Sequence, residues 1–375
     1  MLESIDKVRG PRYLRLLAGI ALRSHLISVL MTSPVRLGNR EVGGEGREAP
    51  CFIVGEVASA HQGDPEQAIA LARAAKEAGA DGIKFQLFAV GELIAPNDSR
   101  YPTFDQIEIA PTEWEWILRE AAALGLPVLV DIFDRPSLRV AEKNGIDAYK
   151  IHSTDMENPD FIRDVASTGK PVLLSTGGSR LQTVEAAMAA AMAEGKGRII
   201  LLHGVQNFPT AVSDSHLRYI RTLKKRFDVP VGFLDHVDAG SPMARLLPAL
   251  AVAFGADLVE KHITLDRAAK GFDYESSLEP QAFGEMVQLI RQAEQAFGRS
   301  EGSVEDPAAH QYHQLMRRAV VSREPLPKGA PLRAEQLALL RNAKGLAPLY
   351  LPRLLGRKPR HDIPAWEPLT EELFE

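Results

Sequence analysis

From Cys51 onward, short apolar runs alternate with longer segments of helical period. The runs occupy 51–57 (CFIVGEV), 81–86 (DGIKFQ), 127–133 (PVLVDIF), 148–153 (AYKIHS), 171–176 (PVLLST), 199–204 (IILLHG), 231–236 (VGFLDH) and 258–263 (LVEKHI). Aliphatic and β-branched residues dominate them, as in strands buried on both faces. After the first run, Asp64 is placed to cap a helix, Pro65 to open it and Gly79 to stop it. Ala68, Leu71, Ala72 and Ala75 then share one face at the i, i+3, i+4, i+7 spacing. Comparable stretches follow near 112–124, 136–143, 158–167, 180–194, 214–226, 242–254 and 280–297. Eight such units in about 250 residues predict an α/β fold, a (β/α)8 TIM barrel. A doubly wound open sheet is the alternative, but no Gly-rich nucleotide fingerprint follows the first strand.

A barrel of this kind carries its chemistry where strands end, on the C-terminal face. Polar residues recur there: Glu56, Lys84 and Gln86, Asp131, Lys150 with Ser153 and Asp155, Ser175 and Thr176, His203, Asp235 and His236, Glu260 and His262. In VEKHITLD (259–266) three ionisable side chains follow a buried run, and metal, substrate and salt bridge are each open readings. His236 and His262 end neighbouring strands, so their imidazoles can share one ion and leave positions open for ligands. Isolated histidines are otherwise surface or core filler. Asp235 reads as a group orienting an imidazole or as a strand-end salt bridge, and Glu260 fits either part.

The chain of 375 residues has a formal charge of −5, so the basic footprint of a nucleic-acid binder is missing. A single cysteine, Cys51, excludes an intramolecular disulfide framework and fits a reducing, cytoplasmic setting. Residues 14–31 form the only membrane-like stretch. Arg15, Arg23 and His25 interrupt it, so no integral membrane segment is expected there. A targeting or surface-binding helix and an extra amphipathic helix or tail are the readings of that segment. The last 60 residues are a different object: LPKGAPLRAEQL (326–337) resembles IPAWEPLTEELF (363–374), as two copies of one turn-forming unit in a small β-rich module would. The expected division is an extension over 1–35, a barrel with an N-terminal hairpin over 36–300, a linker over 301–315 and the module over 316–375.

GEVASAHQGD, KFQLF, YKIHSTDMEN, LLSTGG, LLHGVQNFPT, FLDH, EKHITLD and GFD, in this order, resemble the N-acetylneuraminate (sialic acid) synthase family. The tail resembles that family's antifreeze-like, or SAF, domain, a small β-clip-like fold. The resemblance implies a transferase that condenses phosphoenolpyruvate with an open-chain N-acetylmannosamine-like aldose, giving a nonulosonate and phosphate. It also implies a divalent metal, Mn2+ or Mg2+, and a domain-swapped homodimer. On this resemblance, His236 and His262 hold the metal, and Glu56 and Asp273 face sugar and metal. Lys84, Gln86, Lys150, Ser153, Ser175 and Thr176 bind the donor's anionic groups, and Asp155 is the acid/base or intermediate-stabilising carboxylate. Arg341 reaches the sugar's N-acetyl group in a neighbouring subunit. Bland readings stand beside these: a solvated acid for Glu56 or Asp273, structural lysines, a helix cap for Asp155, a surface arginine for Arg341. His61, His152 and His203 lie near the mouth without a role.

The departures fall on the substrate side. Ala60 stands for the usual Asn before His61, and Asp131 stands where the usual STPF threonine contacts phosphate. Gln206-Asn207-Phe208 replaces Asn-x-Tyr, leaving Gln206 in the substrate-binding position but no phenol hydroxyl. Asn342-Ala343-Lys344-Gly345 replaces PGxG. Retained chemistry with an altered acceptor is the leading expectation. A metal-dependent aldolase or lyase of a 2-keto-3-deoxy sugar acid and a noncatalytic sugar-binding relative are the alternatives.

Overall fold

The computed structural model describes residues 34–44, 49–193, 198–298 and 306–375. The amphipathic stretch 14–31 lies outside the described residues. Eight parallel strands close into a barrel: β1 (Phe52–Glu56), β2 (Gly82–Leu87), β3 (Val128–Ile132), β4 (Ala148–Ile151), β5 (Val172–Ser175), β6 (Ile199–His203), β7 (Val231–Asp235) and β8 (Leu258–His262). Strand β8 closes on β1 with Leu258 opposite Phe52 and His262 opposite Glu56. The expected barrel is therefore present and the open sheet is not.

Helices α1 (Pro65–Glu77), α2 (Pro111–Ala123), α3 (Arg135–Lys143), α4 (Pro159–Ser167), α5 (Leu181–Met192), α6 (Arg218–Phe227), α7 (Met243–Ala253) and α8 (Pro280–Phe297) follow the strands in turn. Three of their starts are encoded by local side-chain caps. Asp64 accepts from the backbone N–H of Glu66 and Gln67, Asp134 from that of Ser137 and Asn158 from that of Phe161. A proline stands at the first or second position of each of these three helices. Gly79 stops α1 at φ +93°, a conformation that favours glycine. The helix expected from 214 begins only at Arg218, because a 3-10 turn over Val212–Ser215 comes first.

Two features position the mouth and the floor. A hairpin (Val35–Leu37 and Arg40–Val42) turns through Gly38-Asn39 and buries Val35, Leu37 and Val42 with Phe52, Leu129 and Leu258 at the barrel's lower end. At the mouth, two short helices, Val90–Leu93 and Tyr101–Ile107, stand between β2 and α2. Among the described residues no helix is long and apolar enough to cross a membrane.

The chain divides between Phe297 and Gly298 into two compact units. Part of the expected linker is helical: α9 (Pro307–Met316) is capped by Asp306, which accepts from Ala308 N–H. The polar composition of this stretch conceals the cap. In the tail, β9 (Arg318–Ser322) pairs antiparallel with β10 (Leu337–Arg341). The repeat is structural as well: Leu326 and Ile363 exchange backbone hydrogen bonds of 2.8 and 2.9 Å. Leu332 with Leu369 and Leu337 with Phe374, equivalent in the two copies, share the same small core.

Candidate active site

Side-chain parity along each strand decides which polar groups reach the mouth. Val54, Leu129, Ala148, Leu173, Leu234 and Leu258 belong to the apolar plug inside the barrel. Two residues further on the same faces stand Glu56, Asp131, Lys150, Ser175, His236 and Glu260, and His262 follows Glu260. Thr176, His203, Asp235 and Lys261 have the opposite parity. Asp235 is ion-paired to Lys261 at 2.9 Å, which decides between its two readings in favour of the salt bridge. His203 Nε2 lies 3.0 Å from the Ser215 carbonyl oxygen, with its ring against Tyr219 and Phe233. The Thr176 hydroxyl donates to the Leu202 carbonyl at 3.1 Å, so it is already engaged. His61 is buried, accepts from Gly63 N–H at 3.0 Å and meets Trp114 edge-on, as a satisfied core histidine does.

Five inward groups form a buried ionic cluster. Lys84 contacts Glu56 and lies 2.7 Å from Glu260 and 3.7 Å from Asp131. Lys150 lies 3.1 Å from Asp131 and 3.0 Å from Glu260. Glu260 thus serves the two lysines, a role parity alone points to. Three carboxyls face two ammoniums, one negative charge in excess if all are ionised. Burial pushes Glu56 up to about 8 against the pull of Lys84. Burial also works to raise Glu260, but Lys150 and Lys84 outweigh it and hold its carboxyl below the usual carboxylate range. The Asp131 carboxylate occupies the position expected to contact donor phosphate, and the two lysines offset its charge. The Oγ of Ser175 is fully buried without a hydrogen-bond partner.

His236 and His262 come together above this cluster, ring centroids 5.1 Å apart and planes tilted by 58°. Phe208 stands edge-on to both, at 5.0 and 5.8 Å. Burial pushes His236 down to about 3 and His262 well below its ordinary value, which keeps both imidazoles in the neutral, metal-binding form. Asp273 Oδ2 lies 4.0 Å from His262 Nδ1, and its carboxyl is raised by burial to about 6. Among the described residues no cluster of three or more His, Cys, Asp or Glu side chains is arranged around one ion position. The donor set is the imidazole pair, whose buried Nδ1 atoms lack hydrogen-bond partners, with Asp273 beside it. Two neutral nitrogens and a nearby carboxylate fit a divalent cation that keeps open positions.

A cavity of about 630 Å³ opens beside the pair, lined by Gln86, Phe133, His152, Asp155, His262 and Asp273 among others. The two short helices after β2 supply Leu93 and Phe104 to its wall, a contribution the hydrophobic pattern did not announce. Asp155 ends a 3-10 turn (Ser153–Asp155), where burial raises its carboxyl. Asn158, not Asp155, caps the helix that follows. The Ser153 hydroxyl donates to Gln206 Oε1, joining the loops after β4 and β6. A second, polar cavity of about 600 Å³ is lined by Ser153, Gly177, Gly178 and Arg180 among others. A Cβ on Gly177 would sit 2.2 Å from the Gly204 carbonyl oxygen, so only glycine fits there. Arg341 is exposed at the end of β10, opposite Arg318.

Residues 71–302 match the NeuB family and residues 317–375 the SAF domain. The chain is 33% identical to an uncharacterized protein of Methanocaldococcus jannaschii over 88% of this chain and 95% of that protein. It is 31% identical to the N,N'-diacetyllegionaminic acid synthase of Legionella pneumophila, over 90% of this chain and 99% of that protein. It also superposes on the crystal structure of the N-acetylneuraminic acid (sialic acid) synthetase of Leptospira borgpetersenii in complex with citrate, with a TM-score of 0.69 and 29% identity over 75% of this chain and 96% of that one. With its inward lysines, paired histidines and SAF tail, the chain belongs to the NeuB family of sialic-acid-type synthases.

Proposed function

We propose that this protein condenses phosphoenolpyruvate with an N-acetylmannosamine-like aldose, using Mn2+ or Mg2+ held by His236 and His262. The observation that carries the reading is the convergence on one mouth of two neutral imidazoles, two buried lysines and a large cavity. In the reaction, C3 of the donor forms a bond to the aldehyde carbon, whose oxygen takes up a proton. Water adds at C2, and the tetrahedral carbon releases phosphate to leave a 2-keto-3-deoxy acid. The bound cation supplies Lewis-acid polarisation of the aldehyde.

The chain's own groups do the rest. Lys84 and Lys150 attract the donor's anionic groups, with Gln86, Ser153 and Ser175 as hydrogen-bonding partners. Asp155 takes a proton from the water that adds at C2. Asp273 and Gln206 face the sugar side, while Glu56, expected to face sugar and metal, is buried against Lys84 and positions that lysine. Arg341 completes the site of a neighbouring subunit in a homodimer.

Phosphate release and product mass are measured for the purified protein with Mn2+, phosphoenolpyruvate and a panel of hexosamines. A product with three added carbons and no donor phosphate is expected. Asp131 beside Lys150 favours a second reading, an aldolase or lyase of a 2-keto-3-deoxy acid, which turnover without phosphoenolpyruvate would establish instead. Sugar binding with no turnover would overturn both.

A further inference from the structure

The side chains at the end of β4 form one hydrogen-bonded chain. Asp155 Oδ2 lies 3.2 Å from Thr154 Oγ1, and Thr154 Oγ1 lies 3.0 Å from His152 Nδ1. His152 Nε2 lies 3.1 Å from Gln206 Nε2, and Gln206 Oε1 accepts from the Ser153 hydroxyl. The imidazole rests against Phe133, ring centroids 5.3 Å apart.

One end sets the direction of every bond. An ionised Asp155 only accepts, so Thr154 donates to it. The Thr154 oxygen then accepts from His152 Nδ1–H, which leaves Nε2 with its lone pair. That lone pair accepts from the Gln206 amide N–H, and the Gln206 carbonyl therefore faces Ser153. Thr154 N–H also donates toward Nδ1 at 3.4 Å, the cap of the 3-10 turn, and a proton on Nδ1 gives up this longer contact for the 3.0 Å one to Thr154 Oγ1. A neutral imidazole is suited to this place because it offers one donor and one acceptor on opposite sides of a rigid ring.

We propose that His152 is a positioning residue that locks the Gln206 amide and the Asp155 carboxylate into one mutual orientation. This rests on the synthase reading, in which Asp155 moves the proton and Gln206 meets the substrate. Fixing both groups matters because a small misplacement of a proton acceptor costs rate more than it costs donor binding. Parity is the signal for His152 in the sequence: it stands two residues beyond Lys150, immediately after β4 and in step with its inward positions.

The test uses the full-length protein. In 15N-histidine NMR, the resonance missing from His152→Phe identifies this ring, and the expected state at neutral pH is neutral with the proton on Nδ1. A proton on Nε2 would overturn the assignment. In the kinetic arm, with Mn2+, phosphoenolpyruvate and an accepted aldose, Thr154→Val lowers kcat about tenfold or more with KM for the donor within about twofold. Thr154→Ser, which restores the hydroxyl, returns kcat to within about threefold of the parent. Thr154 is exposed, so both substitutions leave packing intact. Unchanged kcat in Thr154→Val, or no rescue by Ser, would overturn the proposal. A parent protein that releases no phosphate with any aldose defeats the synthase reading alone, and the NMR arm still decides the chain of hydrogen bonds.

Discussion

Asp131 and Lys150 face each other on adjacent strands, carboxylate to ammonium at 3.1 Å, both buried. The pair places a protein anion beside a lysine proposed to bind an anionic donor. Asp131→Asn keeps the shape and removes the charge, leaving two lysines opposite Glu56 and Glu260. The expected outcome is a KM for phosphoenolpyruvate lowered about five- to tenfold, measured by initial rates of phosphate release. A raised KM would show that the carboxylate holds the lysines in place for the donor.

His236→Ala removes one of two imidazoles from the proposed ion. Chelator treatment of the parent protein is expected to abolish turnover, and Mn2+ to restore it. In the variant, calorimetry is expected to show a Kd for Mn2+ raised about a hundredfold or more. Equal Mn2+ affinity in parent and variant would place the ion elsewhere.

His61 makes stability depend on pH. Burial pushes it down to about 4 from its ordinary value of 6.5. Because the folded state rejects the proton that the unfolded chain accepts, the contribution is intact above about pH 6.5 and is lost as pH falls toward 4. Between pH 7.5 and 5 this group costs the folded state about 2 kcal/mol. His61→Asn keeps an acceptor for Gly63 N–H and cannot titrate. Urea unfolding at both pH values is expected to show that much less acid destabilisation in the variant, and an equal loss in both proteins would assign it to other groups.

A homodimer with exchanged tails predicts complementation. His236→Ala damages the barrel site and Arg341→Ala damages the tail that serves the neighbour. In mixed dimers, one site in two has both native groups. Refolding the two variants together is expected to restore about a quarter of parental activity. Activity no higher than the average of the separate variants would confine Arg341 to its own subunit or remove it from the site.

The alternation of apolar runs with helical periods was enough to specify the barrel, because each element's period is a local pattern and several helix starts carry their own side-chain caps. Asp64 with Pro65 opens α1 as the residue types require, and the two copies of the tail repeat pair through Leu326 and Ile363. The short helices at Val90–Leu93 and Tyr101–Ile107 were not legible, because they are too brief to show a period and take their packing from the barrel mouth. Helix α9 was hidden in the same way, its polar composition matching that of a linker.

Within the site, residue type and strand position were enough to select the polar groups that end the strands. Parity along each strand, read from the same residues, separates Glu260 from Lys261 and Ser175 from Thr176. What only the tertiary structure decided is partnership. Lys150 meets Glu260 from 110 positions away, and Asp235 meets Lys261 on the neighbouring strand. Such ion pairs depend on barrel closure and on the register of β8 against β7, non-local geometry that no window of sequence contains.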